Sequence, residues 1–244
     1  MTRLNLALGA ALLVGLAGTA AAQDEIIVTA TRSETSLPGT FLEVQGDYLL
    51  VDITVYNDSR EIETRGEEIT ETLENLAEAA RRNRDIELSL AIEDEIVRPF
   101  TLKAAIDAVE SGRQPQTSQV TILAKTPIPD QVANSYSLVT KLQSFAEDVE
   151  TVGRTSVFTD DEPEVSIEDP DQYRPQLIEK VTSEIKSVTS ALGGDYRVVL
   201  QDIDEEMKYL RGGDLSLIFY IPYDYEVIPT SLTSRDVITI PEDY

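Results

Sequence analysis

Residues 61–92 read EIETRGEEITETLENLAEAARRNRDIELSLAI, and the hydrophobic period of this stretch changes once, near Asn83. Before that point, small or apolar residues recur at spacings of three and four, which predicts an amphipathic helix with these positions on one face: Ile62, Gly66, Ile69, Leu73, Leu76 and Ala80. Asp58 is the expected N-terminal cap of this helix. After Asn83, an apolar residue occupies every second position, which predicts a half-buried strand. A helix followed directly by such a strand favours a domain that mixes helices with a sheet.

The segment before this helix predicts a β-hairpin. Residues 40–45 and 48–56 are rich in strand-forming residues, and they flank a Gly-Asp pair at 46–47 that suits a two-residue turn. Pairing across that turn places Val44 opposite Leu49 and gives the hairpin one mainly apolar face. We therefore expect these two strands to be neighbours in a sheet.

The rest of the chain predicts further elements of both kinds. From their periodicity, helices are expected at 102–109, 138–149 and 177–192, and strands at 119–126, 154–159, 196–200 and 215–221. Residues 160–171 contain seven Asp or Glu in twelve positions, which predicts a solvated acidic loop. A Ca²⁺ site is the alternative for this loop, but the ligand spacing of an EF-hand is missing.

These elements predict the domain organisation. Residues 40–229 are expected to form one α+β domain in which an antiparallel sheet packs against two long helices. A duplicated pair of strand-helix units is a second interpretation of the same element order. Residues 23–39 are expected to form an N-terminal strand or a flexible arm, and residues 230–244 a polar tail.

The composition excludes several classes of function. The chain has 244 residues and contains no Cys, His or Trp, so disulfides, thiolate or imidazole metal ligands and Ser/His or Cys/His nucleophile pairs are excluded. A formal net charge of −25 disfavours nucleic acid, because phosphate backbones are bound by Lys and Arg. We predict no catalytic, cofactor-binding or metal-binding residue. A hydrolase that uses a carboxylate pair or a Ser/Lys nucleophile is the less favoured alternative, since we expect no G-x-S-x-G or S-x-x-K motif to support it.

Residues 1–22 have the three parts of a secretory signal peptide. A basic start at Arg3 precedes an apolar stretch over residues 4–18, and three alanines at 20–22 provide the cleavage site. We expect cleavage after Ala22 and a periplasmic location. Cleavage would remove one basic residue and no acidic one, so the mature chain would be more acidic still. No later segment has the length of apolar residues that crosses a membrane.

The order of elements resembles that of the SIMPL domain family of exported bacterial proteins. A Tyr-Arg pair at 173–174 opens a long helix that ends in Ala-Leu-Gly at 191–193, similar to the family's Arg-led helix and closing Leu-Gly pair. Residues 217–229, LIFYIPYDYEVIP, resemble the family's terminal strand, and residues 61–90 resemble its first helix and following strand. The resemblance covers most of residues 40–229. It implies an envelope α+β protein that is linked to oxidative-stress tolerance, forms oligomers and has no agreed catalytic residues.

Residues 24–32, DEIIVTATR, resemble the TonB box that opens mature TonB-dependent receptors. In those receptors an extended segment pairs with the edge of a TonB sheet. The resemblance implies a TonB-like partner and a candidate partner-binding arm made of Glu25, Ile26, Ile27, Val28 and Thr29. The alternative is that these residues are simply a first strand, because short Ile/Val/Thr runs are common strand material. The helical patterns that follow cannot supply the large barrel of such receptors.

Two functions follow from these observations. The favoured one is a non-enzymatic periplasmic protein, without a cofactor, that forms a homo-oligomer or binds a periplasmic protein partner in envelope or oxidative-stress tolerance. The alternative is an envelope transport adaptor that docks to TonB through residues 25–31.

Overall fold

The computed structural model describes residues 25–28, 39–92, 96–132, 134–160 and 162–232. The predicted signal peptide, Thr29 of the candidate arm and the polar tail from residue 233 onward lie outside the described residues. The strands are β1 Glu25–Val28, β2 Leu42–Gln45, β3 Tyr48–Asn57, β4 Glu87–Ile92, β5 Ile96–Pro99, β6 Glu110–Ser111, β7 Ser118–Pro127, β8 Thr155–Thr159, β9 Glu164–Glu168, β10 Tyr196–Gln201, β11 Lys208–Arg211, β12 Ser216–Tyr220 and β13 Asp224–Pro229. The helices are α1 Ile62–Arg82, α2 Leu102–Asp107, α3 Tyr136–Glu147 and α4 Arg174–Leu192, and a 3₁₀ turn at Pro170–Tyr173 precedes α4.

The largest sheet contains eight of the described strands, and every pairing in it is antiparallel. Its central strand, β3, pairs along its whole length with β7 on one side and with β8 and β9 on the other. The order across the sheet is β1-β9-β3-β7-β4-β5, and the short β6 pairs with the beginning of β7. Because β1 lies beside β5, the two outer strands come together and the sheet nearly closes on itself.

Alternate residues of β3 build the core. Leu49, Val51, Ile53 and Val55 are fully buried, because successive side chains of a strand point to opposite faces and these four share one face. This face is covered by α1 and α3, which contribute the following buried side chains: Ile69, Leu73 and Leu76 from α1, and Leu138, Leu142 and Phe145 from α3. Each fully buried side chain of this kind contributes about 1.5–3 kcal/mol. The apolar stripes predicted for the two helices are therefore the surfaces that hold them on the sheet, except at the start of α1, where Ile62 and Gly66 are exposed.

The first helix begins later than its expected cap. Its N-cap residue is Glu61, whose side chain makes no capping hydrogen bond. Asp58 accepts two hydrogen bonds of 2.7 Å from the guanidinium of Arg154 instead. A two-pronged Arg-carboxylate pair is a strong charge-assisted interaction, so the carboxylate that was expected to cap α1 joins the helix end to the loop before β8.

The acidic run at 160–171 is not the continuous solvated loop that its composition predicts. Its middle forms β9, which continues along the edge of β3 beyond the end of β8, with Val165 opposite Leu49. Val165, Ser166 and Ile167 are all buried. β8 pairs only with the second half of β3, which leaves the backbone of the first half free to pair with another strand. The short run at residues 165–167 can therefore form a buried strand there, although its neighbours in the sequence are acidic.

The predicted hairpin is also wrong. β2 pairs with β12 of a separate three-stranded sheet, ordered β11-β12-β2, whereas β3 lies in the large sheet. Gly46 does not have the positive φ of a tight hairpin turn; within the described residues the glycines that do are Gly153 and Gly193. A Cβ atom at Gly46 would lie 2.1 Å from Cγ1 of Val165. The glycine is therefore required for close backbone approach where the chain crosses from one sheet to the other.

The last part of the chain forms a smaller unit around α4. β10 pairs with β13 in an antiparallel two-stranded ribbon, and α4 packs mainly against β10 and the 3₁₀ turn. The prediction of a mixed α and β fold with an antiparallel sheet is confirmed. The helices that cover the large sheet are α1 and the 12-residue α3. None of the helices in the described ranges is both long and apolar enough to cross a membrane.

Candidate functional site

The β10–β13 ribbon is the least buried part of the described sheets. Every residue of β10 and β13 is exposed or only half-buried, whereas β3 and β12 contain fully buried side chains. The helix beside the ribbon follows the same trend, because its fully buried residues, Leu177 and Val181, lie in its first half. The end of α4 and the ribbon therefore project from the core.

This projecting unit carries most of the exposed large apolar side chains. Ten such side chains are exposed among the described residues, and six of them lie on α4, the ribbon or the turn after it, with 37–43% of their surface accessible. We call these six residues together the ribbon surface: Leu192, Tyr196, Val199, Tyr225, Val227 and Leu232. It includes both faces of the ribbon, because Val199 points to the face opposite that of Tyr196, Tyr225 and Val227. Scattered apolar residues on a surface are ordinary, but a concentration of them in one place is typical of an interaction site.

The outer edge of β13 presents backbone hydrogen-bonding groups. The amide of Thr230 donates to the carbonyl of Asp195 at 2.8 Å, which fixes the phase of the ladder, because directly hydrogen-bonded residue pairs alternate with pairs that are not hydrogen-bonded. Given the register, the N–H and C=O groups of Tyr225 and Val227 point away from β10. The Tyr225 N–H already donates to Oδ1 of Asp224 at 2.7 Å, and the C=O of Pro229 accepts from the amide of Leu232 at 3.0 Å. The described residues place no strand on that side. Pro229 follows the same phase but has no N–H to offer, which is the usual position of proline in a sheet.

Four residues of the predicted partner-binding arm, Glu25 to Val28, are described, and they form β1. β1 pairs with β9 along its whole length, from Glu25 opposite Glu168 to Val28 opposite Val165. Ile26 and Ile27 are half-buried, and Ile26 packs against the core. One backbone edge of the candidate arm is thus occupied by β9, and the other faces β5.

A buried lysine lies on the sheet face opposite the core. Lys125 of β7 is 5% exposed, and its Nζ atom lies 3.9 Å from Oε2 of Glu87 and 3.8 Å from Oε1 of Glu168. The same atom lies 4.2 Å from the centre of the Tyr48 ring, a cation–π distance. This cation contacts side chains from three other strands: Glu87 is on β4, Tyr48 on β3 and Glu168 on β9, while Lys125 itself is on β7. The sequence signal for it was a single lysine inside an otherwise apolar strand, ILAKT, at 122–126.

A second polar group surrounds the break between β8 and β9. Burial and the neighbouring carboxylates of Asp52 and Asp160 raise the pKa of Glu164 to about 7, although the guanidinium of Arg211 opposes this rise. Burial, and then Asp160, also raise the pKa of Asp52, while burial lowers the pKa of Arg211. Sequence reasoning placed Asp160 and Glu164 in a solvated loop and so missed this group, which depends on pairing between β3 and β9.

An open groove of about 750 Å³ runs between the second half of α1 and the segment from β5 to α2. Its floor is apolar, with Leu88, Phe100 and Leu102, and its rim is charged, with Glu74 and Arg81. The hydroxyl of Thr101, which also lines the groove, accepts a hydrogen bond from the amide of Ala104 as the cap of α2. The groove therefore has the shape of a binding cleft without a convergent set of reactive groups.

One motif for nucleophilic chemistry escaped the sequence reasoning. Ser183 and Lys186 on α4 have the S-x-x-K spacing of some serine hydrolases. Both residues are exposed, and the Ser183 side chain lines a shallow surface depression beside Phe41 and Lys180. A nucleophile pair of this kind needs its lysine in a desolvated pocket, and this lysine is exposed. Within the described ranges, no three acidic side chains are arranged as ligands of one metal ion.

A scan of protein-family models finds no match to this chain, and comparisons with curated proteins and with solved structures also return no match.

Proposed function

We propose that this chain is an exported, non-enzymatic envelope protein that acts by association, either with itself or with a periplasmic protein partner, through the ribbon surface. The observation that carries the proposal is the concentration of six exposed apolar side chains beside an open strand edge. Such an arrangement offers both parts of a protein interface, namely apolar area to remove from water and backbone groups to pair. The periplasmic location and the SIMPL-like character belong to the same proposal and rest on the sequence patterns described above.

The two polar groups support a structural role more than a catalytic one. Lys125 faces two carboxylates and a tyrosine ring, an arrangement that neutralises a buried charge. The group around Glu164 contains carboxylates, which can act as nucleophiles or acids, and an arginine, but none of them lines the open groove beside α1. We therefore propose that neither group carries out a reaction.

The TonB-docking hypothesis lacks an equivalent observation in its favour. Docking by strand addition needs a backbone edge, and one edge of β1 already pairs with β9. Deleting residues 23–32 and repeating a pull-down from envelope extract would decide the matter. Loss of a specific partner together with retained folding would favour docking, and unchanged recovery would remove it.

Light scattering on the mature chain, residues 23–244, tests the main proposal. The net charge makes copies repel one another, so the measurement belongs at an ionic strength of about 0.15 M or higher, where the Debye length is about 8 Å or less. We expect a mass above that of the monomer, or a partner recovered from envelope extract. A strictly monomeric chain that recovers no partner would contradict the proposal.

A matched pair of variants locates the interface. Val227→Lys places a charge on the ribbon surface, where 43% of the valine is exposed, and Ile62→Lys places the same charge on α1, where 73% of the isoleucine is exposed. Both variants should fold, because neither side chain is in the core. We expect Val227→Lys to abolish association, since lysine on a strand edge opposes pairing, and Ile62→Lys to leave it unchanged. Equal effects of the two variants would show that association does not use the ribbon.

A further inference from the structure

We propose that the open groove beside α1 binds a single-chain amphiphile whose head carries both a positive and a negative charge. The groove lies between α1 and the segment from β5 to α2, and its volume of about 750 Å³ is within the range of small-molecule sites in proteins. This inference goes beyond the proposed function, because it concerns a ligand and a surface that includes no residue of the ribbon. The two proposals can therefore be tested separately.

The floor of the groove is apolar and already formed. Leu88, Phe100 and Leu102 pack against the hydrophobic core, but they are only half-buried and line the groove with the rest of their surface. The amide of Phe100 donates to the carbonyl of Leu88 at 3.1 Å, which fixes the segment before α2 to β4. On the opposite wall the short side chains of Ala77 and Ala80 leave room beside the helix. An apolar chain can therefore bind without rearranging the floor, and its removal from water provides the driving force.

Two of the three carboxylates that line the groove have a basic neighbour. Oε1 of Glu78 lies 3.4 Å from Nη1 of Arg82, and Oε2 of Glu87 lies 3.9 Å from Nζ of Lys125. The first pair is exposed and therefore weak, but each basic group offsets the field of the carboxylate beside it. The groove is thus less acidic than its lining residues alone suggest.

The remaining charges of the groove are one carboxylate and one guanidinium, those of Glu74 and Arg81. Both residues are exposed, and neither forms an ion pair with another described residue. They are seven positions apart on α1, which is close to two helical turns, so they lie on the same side of the helix about 10 Å apart along its axis.

These two charges select the head of the ligand. A head with charges of both signs can pair with both groups, whereas a purely cationic head would be repelled by Arg81 and a purely anionic head by Glu74. The net charge of the chain further opposes an anionic ligand. Charge complementarity therefore favours a zwitterionic head above the apolar floor.

Calorimetric titration of the mature chain, residues 23–244, with decylphosphocholine tests the ligand class. The titration belongs below the concentration at which the probe forms micelles. The matched probes are decyltrimethylammonium and decyl sulfate, which have the same apolar chain and one charge each. We expect saturable binding of decylphosphocholine that is about fivefold tighter than binding of either matched probe. Each methylene added to its chain should tighten binding further, by at most about fourfold.

Four neutral substitutions locate the site. Glu74→Gln and Arg81→Gln each remove one of the two unpaired charges, and each should weaken binding of decylphosphocholine by about two- to fivefold. The matched controls are Glu71→Gln and Arg84→Gln, because both residues are exposed and neither lines the groove. We expect the controls to leave the affinity unchanged. All four positions are exposed, so the variants should fold, and circular dichroism checks that they do.

Three results would overturn the inference. Equal or tighter binding of a singly charged probe would show that the head does not use both charges. Equal effects of the groove variants and the control variants would place binding elsewhere on the chain. Failure of every probe to bind as a monomer, whether or not vesicles with the same head group bind, would remove the proposed ligand site. None of these results bears on association through the ribbon surface.

Discussion

Replacing Glu164 with glutamine tests whether the carboxylate at the β8–β9 break destabilises the fold when it is ionised. The side chain is half-buried and close to two other carboxylates, and these surroundings move its pKa from an ordinary 4.5 to about 7. A carboxyl group with a raised pKa binds its proton more tightly in the folded chain than in the unfolded chain. Stability should therefore fall as pH rises between about 4.5 and 7 and should level off above that range.

The size of the effect follows from the same values. A displacement from 4.5 to about 7 corresponds to about 3 kcal/mol between the protonated and ionised forms if it acts in full. Because the side chain is only half-buried, solvent screening reduces this figure, and we take about 1.5 kcal/mol as the working magnitude. Glutamine keeps the shape and the hydrogen-bonding capacity without the charge. It should gain this amount of stability at pH 8 and much less at pH 5.

The assay is urea unfolding of the natural chain and the Glu164→Gln variant at both pH values. Glu162, an exposed residue close by in the chain, supplies the control, and Glu162→Gln should change stability little and equally at the two values. The reasoning would be refuted by a Glu164→Gln variant that is less stable than the natural chain at pH 8, or by a stability difference that does not change with pH. In the first case the pairing of the carboxylate with Arg211 would outweigh its burial.

Three further substitutions test the packing, each by urea or thermal unfolding. Gly153 has φ of +60°, and a Cβ there would lie 2.0 Å from Oε1 of Glu68, so Gly153→Ala should cost at least about 1–2 kcal/mol, while Gly194→Ala, with open space around it, should cost less. Asn57 is fully buried, and its side chain donates to Oγ1 of Thr155 at 2.8 Å and accepts from the amide of Ser59 at 2.7 Å, both buried residues; Asn57→Ala should cost about 1–3 kcal/mol, since these groups lose their partner. Leu73 is fully buried between α1 and the sheet, and Leu73→Ala should cost about 2–5 kcal/mol. Losses below about 0.5 kcal/mol at any of these sites, the glycine control excepted, would contradict the packing described here.

The periodicity of apolar residues correctly predicted the helices and strands that bury one regular apolar face. The helix at 62–82 and the strand after it were evident from the sequence because their apolar spacing matches the surface that they bury. The hairpin at 46–47 failed for the opposite reason. Its turn residues are compatible with a tight turn, but β2 and β3 each have a distant strand as partner, and no local pattern reports a distant partner.

The candidate site was predictable only in part. The strand at 196–200 and the long helix before it were expected from their spacing, and both form part of the ribbon unit. Its exposure could not be predicted, because Tyr225 and Val227 have the composition of an ordinary buried strand. The strand β9 was missed because its acidic residues dominate the composition, although the three residues between them are buried.

The position of β1 has a consequence for the order in which the chain folds. β1 is the first described segment of the chain, yet its partner β9 follows α1, α2 and α3 in the sequence. Closing so long a loop is entropically costly and slow, so we expect β1 to join the sheet only after the strands around β3 have assembled. If the chain is exported N-terminus first, this segment reaches the new compartment long before the strand that it needs. The large sheet could then be completed only after β9 has reached that compartment as well.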